Sequence, residues 1–204
     1  MLLGALGNLH SRWITARRVN VLASWFDQLA PTGIRILDVG CGDGLLARTL
    51  LARRPDLQIR GVDVLAREHT HIPVDIFDGG TLPFPDSSFD GVLFSDVLHH
   101  TSAAVQLLQE AHRVSRAFVL IKDHYLKGWA AQRRLMVMDW VGNARFGVAL
   151  PYLYWTEEQW KRTLQEVKLR PERIVTDLHL YPAPVDWVFG GELHFVARLS
   201  KSES

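Results

Sequence analysis

Two groups of residues in this chain have the types and spacing to do chemistry. The first is Asp38-Val39-Gly40-Cys41-Gly42-Asp43-Gly44, where an apolar, β-branched run (Ile34, Ile36, Leu37, Val39) passes into three glycines on alternate positions. Glycine lets a backbone approach a ligand closely, and a helix starting at the third glycine offers free N–H groups to an anionic group. The spacing is G-x-G-x-G rather than the G-x-G-x-x-G of dinucleotide enzymes, and an acid stands two residues before the first glycine. Asp63 lies 23 residues beyond Gly40, a workable distance for a carboxylate at the end of the next strand to accept both ribose hydroxyls of a nucleoside. The second group is His99, His100, Asp123, His124, Tyr152 and Tyr154, whose imidazole, carboxylate and phenol groups can carry a proton in general acid–base catalysis. Asp96, His99, Asp123 and His124 include the ligand types of a divalent ion, but they have no tight ligand spacing and no metal site is assigned.

Such residues need a scaffold that gathers distant strand ends. Ile34 to Val39 reads as a first strand, Asp43 to Arg53 as a helix that ends before Pro55, and Leu57 to Val62 as a second strand with Asp63 at its carboxyl end. Strand, glycine loop, helix, strand and acid form the first half of a doubly wound sheet, which binds ligands outside the carboxyl ends of its strands. Residues 64–71 are too short and polar for a crossover helix. Ile72 to Phe77 reads as a third strand, and Pro83 and Pro85 hold 82–86 extended. Phe89 to Phe94 and Ala117 to Ile121 are strands four and five. Between them lies a helix capped at Thr101 or Ser102 with Val105, Leu108 and Ala111 inward. Residues 127–141 read as a helix and Phe146 to Trp155 as an irregular aromatic loop. Thr156 to Gln159 has the form of a capping box, and Arg173 to Tyr181 and Leu193 to Leu199 are the closing strands. An opening helix over 11–29 places Ile14, Val21, Leu22, Trp25 and Leu29 at helical spacing and stops at Pro31-Thr32-Gly33. Its Arg12, Arg17 and Arg18 read as a solvated face, with an anionic acceptor or a membrane surface as the alternative partner.

Composition narrows the classes. A net charge of +1 gives no global basic field for nucleic acid, and no apolar run reaches the roughly 18 residues of a membrane span. The first nine residues lack the charged n-region and cleavage site of a signal peptide. Cys41, the single cysteine, forms no internal disulfide and fits a reducing, cytoplasmic compartment. Five of the seven tryptophans follow residue 125, which makes that part of the chain the place to look for an apolar acceptor.

Three stretches together resemble the class I S-adenosylmethionine-dependent methyltransferases, close to the small "type 11" kind: Leu37 to Gly44, Gly61-Val62-Asp63, and Leu82 to Asp90 running on to Val97-Leu98-His99-His100. Glu110 to Val114 resembles the same family's fourth helix. The likeness is close over 34–122 and holds in outline over 156–199. The resemblance implies one α/β domain over 1–204, three layers around a doubly wound, mostly parallel seven-stranded sheet of order 3-2-1-4-5-7-6 with the last strand antiparallel. It implies S-adenosylmethionine as methyl donor and S-adenosylhomocysteine as product. On the matching positions, Asp38, Gly40, Cys41, Gly42 and Gly44 would hold the methionine moiety, and Asp63, with Val64 beside it, the ribose hydroxyls. Asp78 and Gly79 would meet the adenine, with Asp75 as a competitor, and Ser95, Asp96 and Val97 would line the sulfonium side.

Residues 1–31 are then an N-terminal helical segment and 125–155 an insertion acting as an acceptor lid. Trp129, Phe146, Tyr152 and Trp155 are the candidate walls of the acceptor pocket, and His124, His99 and Tyr152 the candidate catalytic groups. Lys122, Lys127, Arg133, Arg134 and Arg145 outnumber the acids there, which suits a small or lipid-like acceptor with an apolar body and an anionic group. Nucleic acid is not the expected partner, peripheral contact with a membrane is compatible, and the oligomeric state is not legible. Two departures from the family pattern stand out: the interval from Asp63 to Asp78 is short, and Ser115-Arg116-Ala117 replaces the usual Lys-Pro-Gly-Gly turn. The rival readings are a non-catalytic module that binds S-adenosylmethionine or S-adenosylhomocysteine, and a nicotinamide-linked oxidoreductase on a similar fold.

Overall fold

Apolar residues on alternate strand positions face opposite sides of one sheet and so build two cores. In the computed structural model, which describes residues 2–143 and 150–202, the strands are β1 Arg35–Val39, β2 Gln58–Asp63, β3 Val74–Ile76, β4 Phe89–Ser95, β5 Ser115–His124, β6 Leu169–Val175 and β7 His194–Lys201. Val92, Phe94, Val119, Ile121 and Phe195 enter one core, and Leu93, Phe118, Leu120 and Val196 enter the other. This period of two is what a sheet covered on both faces requires. The order is β3-β2-β1-β4-β5-β7-β6. Neighbours from β3 to β5 pair in parallel, while β7 runs antiparallel to both β5 and β6. The fold is therefore the three-layer, doubly wound arrangement expected of the class I methyltransferases.

Helices α1 Leu2–Leu29 and α2 Leu45–Arg53 cover one face. Leu22, Phe26 and Leu29 follow helical spacing and are buried against Ala47 and Leu50, and each large side chain so buried contributes about 1.5–3 kcal/mol. Helices α3 Ala104–Val114 and α5 Glu157–Glu166 cover the other face through Leu107, Leu108, Ala111, Trp160 and Leu164. The expected capping box is present in α5: the Thr156 hydroxyl accepts from the Gln159 amide at 3.2 Å, and the Gln159 side chain accepts from the Thr156 amide at 2.8 Å. Helix α4 Ala131–Asn143 and the short α6 Val185–Phe189 lie in the later part of the chain, and Ala131 and Leu135 pack with Tyr154 and Leu193 in a small separate cluster.

Several boundaries differ from the sequence expectation. Helix α1 begins at Leu2 rather than near residue 11. The third strand shrinks to Val74–Ile76, because Ile72 leaves the ladder and is buried beneath the glycine loop. No helix is described between β2 and β3, as the short interval implied. Strand β5 extends to His124, so Lys122, Asp123 and His124 belong to the sheet instead of following it. Residues 176–181 leave the sheet after β6, and Leu178 and Leu180 turn into the core on the α1 side. The α4 helix starts at Ala131 because Gly128 and Ala130 adopt positive φ (86° and 47°) just before it. The Leu82–Asp86 loop and α3 form one unit, since Arg113 bonds the Leu82 and Phe84 carbonyls as well as Asp86 and Glu110. No helix among the described residues is long and apolar enough to cross a membrane.

Candidate functional site

The carboxyl edge of the sheet carries two structures of different construction. The first is built from backbone. Gly40 (φ 69°) turns the chain out of β1, and its amide donates to the Val62 carbonyl at 2.8 Å. A Cβ at Gly40 would stand 2.6 Å from Val97, and one at Gly44 (φ 78°) would stand 2.5 Å from Ile72, so neither position admits a side chain. Gly42 (φ 60°) differs: a Cβ there would meet nothing within 4 Å, so its backbone faces open space. The Asp63 carboxylate closes the loop, Oδ2 accepting from the Gly42 amide at 2.8 Å and Oδ1 from the Leu65 amide at 2.8 Å. Asp38, the penultimate residue of β1, lies near Asp63 and is almost wholly buried. Burial, then the Asp63 charge, push its carboxyl up to about 8. Burial and the same two acids push the Cys41 thiol up as well, so it stays protonated at neutral pH.

These features fit S-adenosylmethionine. An exposed glycine backbone at the mouth of α2 suits the carboxylate of an amino acid. Two adjacent buried acids are the surroundings that an ammonium group would relieve, and the anchored Asp63 carboxylate keeps acceptor capacity for hydroxyls. Beyond β3, Asp78 Oδ1 accepts from the Gly80 and Thr81 amides, each at 2.8 Å, which shapes the turn around Gly79 (φ 87°). Val64 is exposed, and its side chain lies at the position a Gly79 Cβ would crowd, 3.2 Å away. Asp75 is engaged elsewhere: it takes a two-point bond from Arg60, at 2.5 and 2.9 Å.

The second structure is a buried network of side chains. Asp96, at positive φ (58°), forms ion pairs with Arg18 from α1 and with Lys122 from β5. Burial works against the charge of Asp96, but Arg18 and Lys122 outweigh it and hold the carboxyl below its ordinary range. His99 is clamped between two acids, with Nδ1 2.6 Å from Asp123 Oδ1 and Nε2 3.4 Å from Asp139 Oδ2. Burial would lower its pKa; Asp123 and then Asp139 overcome this and push it up to about 10, leaving an imidazolium at neutral pH. Tyr154 donates to the same Asp139 carboxylate, and burial followed by that bond pushes its phenol up. Asp123 also accepts from the Leu98 and His124 amides. His124 is held well below its ordinary value by burial, Lys122 and His99. Its Nδ1 lies 3.3 Å from Asp123 and its Nε2 3.5 Å from Lys122, so both ring nitrogens are occupied. The His100 ring packs tilted by 46° against His99, centroids 4.0 Å apart; its ring nitrogens make no hydrogen bond, and burial and His99 lower its pKa.

The expected site residues thus separate. Asp38, Gly40, Cys41, Gly42, Gly44 and Asp63 come together at the ends of β1 and β2, with Val64, Asp78 and Gly79 beyond them. Ser95 ends β4 opposite Lys122, and the Asp96 side chain belongs to the ion network. His99 and His124 meet in that network, and Leu153 ties the following loop to it by donating to the His99 carbonyl at 3.2 Å. Tyr152 (φ 57°) lies 6.4 Å from the Tyr154 ring, and Trp155 packs edge-on against Trp160 at 4.7 Å. Trp129 stands apart, 84% exposed on the surface. Phe146 lies outside the described residues. Arg18, expected on a solvated face, instead pairs with Asp96, and the roles of Asp139 and His194 escaped the sequence reading. The i, i+4, i+8 spacing of Ala131, Leu135 and Asp139 was a usable signal for Asp139, because it puts the acid on the buried stripe of α4.

Residues 37–117 match the family model described as a methyltransferase domain. An uncharacterized methyltransferase of Mycobacterium tuberculosis is 38% identical over 36% of this chain and 42% of its own length. A fatty-acid O-methyltransferase of Mycolicibacterium smegmatis is 36% identical over 41% of this chain and 34% of its own length. The chain therefore spans less than half the length of these curated relatives. Among solved structures, a Thermotoga maritima S-adenosylmethionine-dependent methyltransferase, described as a possible histamine N-methyltransferase, superposes with a TM-score of 0.69 at 19% identity, covering 97% of each chain.

Proposed function

From a chain whose residues 37–117 match the methyltransferase domain family model and whose sheet has the class I order, we propose that the protein transfers a methyl group from S-adenosylmethionine to an oxygen of a small, lipid-like acceptor. The observation that carries this reading is the Asp63 carboxylate, fixed by the Gly42 and Leu65 amides at the end of β2. When bound, the cofactor supplies a methyl group activated as a sulfonium. The residues then have mostly to position it, because a good leaving group leaves little else to catalyse. The Gly40–Gly44 backbone holds the amino-acid end, with Asp38 favouring its ammonium. Asp63 accepts from the ribose hydroxyls. Asp78 offers its remaining carboxylate oxygen to the adenine amino group.

On the acceptor side, an imidazole that acts as general base must be neutral and have a free lone pair. His99 is an imidazolium, and both ring nitrogens of His124 are engaged, so these two orient the edge of the site. His100, whose two ring nitrogens are buried and unpaired, is the imidazole left to take a proton, and it would need an acceptor hydroxyl to reach it beneath the surface. Tyr152 and Trp155 would contact the acceptor body. A fatty-acid O-methyltransferase among the relatives supports an oxygen on an apolar molecule as the accepting atom.

Calorimetry with S-adenosylhomocysteine tests the cofactor part, and isotope-labelled methyl donor with a panel of fatty acids and phenolic lipids tests the transfer. Absence of binding by well-folded protein would sink the proposal. Binding without turnover on any acceptor would leave a binding module instead.

A further inference from the structure

Helix α4 is apolar on two opposite sides. Ala131, Leu135 and Asp139 form its buried stripe, and Asp139 reaches His99 and Tyr154 there. The opposite side carries Val137, Trp140 and Val141, which are 50%, 62% and 65% exposed. An exposed helix face in a soluble domain is ordinarily polar. The patch does not end with the helix. Trp129 just before α4 is 84% exposed, and Trp187 and Val188 on α6 are 80% and 49% exposed. Arg134 joins the three pieces, its guanidinium donating to the Val188 carbonyl at 2.6 Å and to the Trp129 carbonyl at 3.3 Å. Its charge meets carbonyl oxygens there rather than a carboxylate. Arg133 stands exposed on the same side of α4, and a concavity of about 450 Å³ lies between Leu126, Trp129 and Arg133.

We infer that this face of α4 and α6 docks the protein on the surface of an anionic lipid bilayer. Tryptophan combines an apolar body with a polar N–H and favours the boundary between headgroups and acyl chains. Arginines among the indoles match a negative headgroup layer, and such a face lies in the plane of the interface rather than crossing it. Indoles this exposed stand proud of the surface; a bilayer receives them without the shape complementarity that a protein partner would have to supply. The placement also has a use. One helix presents tryptophan to the lipid and an acid to the His99 cluster, so a docked molecule holds its acceptor side next to the source of a lipid-like acceptor. The inference rests on the lipid-like acceptor proposed above.

Flotation with phosphatidylcholine vesicles, with and without about three parts in ten of phosphatidylglycerol, tests it. The protein should float with the anionic vesicles and far less with the neutral ones, and added salt should weaken the binding. Trp140→Ala with Trp187→Ala should lower the partition at least about tenfold, and Arg133→Glu about fivefold or more. Both variants should bind S-adenosylhomocysteine as the unaltered protein does, since no altered residue touches the glycine loop. Vesicle binding that survives the double substitution, or none to either vesicle, overturns the docking surface. So does a dimer, seen by sedimentation, that the same double substitution dissolves, for it assigns the face to a second copy. Loss of S-adenosylhomocysteine binding by the unaltered protein would strike the cofactor reading and leave vesicle docking standing.

Discussion

The two halves of the carboxyl edge solve one problem, holding charge out of water, by opposite means. On the β1–β2 side, backbone does the work: three glycines at positive φ, a carboxylate on two amides, and a second acid whose burial keeps it partly protonated. On the β4–β5 side, side chains neutralise one another: Arg18 and Lys122 on Asp96, Asp123 and Asp139 on His99. The first arrangement leaves an incomplete charge balance that a ligand can complete. The second is internally complete and so behaves as scaffold. Binding and stability should therefore separate between the two halves, and mutations can test that separation.

The largest effect is expected on the scaffold side. Removing one member of a buried ion pair strands its partner and costs about 3–5 kcal/mol. His99→Gln should lower the urea-unfolding free energy by about that amount, while the protein that remains folded binds S-adenosylhomocysteine within about threefold of the unaltered affinity. A collapse of affinity without loss of stability would break the division. On the other half, Asp63→Ala should do the reverse. It removes charge-assisted bonds of about 1.5–3 kcal/mol each, so affinity should fall about a hundredfold or more by calorimetry, with a smaller change in unfolding free energy.

The difference between the halves also explains what could be read from the chain. The glycine loop and Asp63 fall within 26 consecutive residues, 38 to 63, and each has a local signature: φ freedom, strand alternation, an acid at a strand end. The network has no such signature. Arg18 and Asp96 are 78 residues apart, and on α1 an arginine in a mixed helix looks like a solvated face until β4 and β5 are placed beneath it. His194 faces His124 only through the β5–β7 register, which sequence alone does not fix. Helix α4 starts later than its apolar spacing predicts because positive φ at Gly128 and Ala130 delays it, which moves Trp129 off the helix and onto the surface. The sheet order was legible only through the family resemblance that the strand-end motifs carry, since the order of strands along the chain does not by itself fix their order in the sheet.

A titration sharpens the contrast further. The Asp38 carboxyl rises from 3.8 to about 8 on folding, so its contribution to stability is present below pH 3.8 and is lost as the pH rises through about 8. His99 rises from 6.5 to about 10; its contribution is full below pH 6.5 and is lost as the pH rises through about 10. Asp38→Asn should then flatten the decline of stability between pH 4 and 8, and His99→Gln should remove the decline between about pH 6.5 and 10. Because an incoming ammonium favours the ionised acid, S-adenosylhomocysteine binding at pH 7 should release protons. Calorimetry in buffers of different ionisation enthalpy should detect that release, and Asp38→Asn should abolish it.

The smallest expected effect lies at the open end of the backbone-built half, where Asp75 and Asp78 are the two candidates to meet the adenine of the proposed cofactor. Asp75 is bound at two points by Arg60, so its oxygens are already occupied and its loss should leave cofactor affinity unchanged. Asp78 uses one oxygen on the Gly80 and Thr81 amides and keeps the other. One hydrogen bond at an exposed position contributes on the order of 1 kcal/mol, about fivefold. Asp78→Ala should lower S-adenosylhomocysteine affinity by about that factor, and by less for an analogue lacking the N6 amino group. If Asp75→Ala shows the loss instead, the adenine lies nearer β3, and the reach of the backbone-built half must be redrawn to include the Arg60 pair.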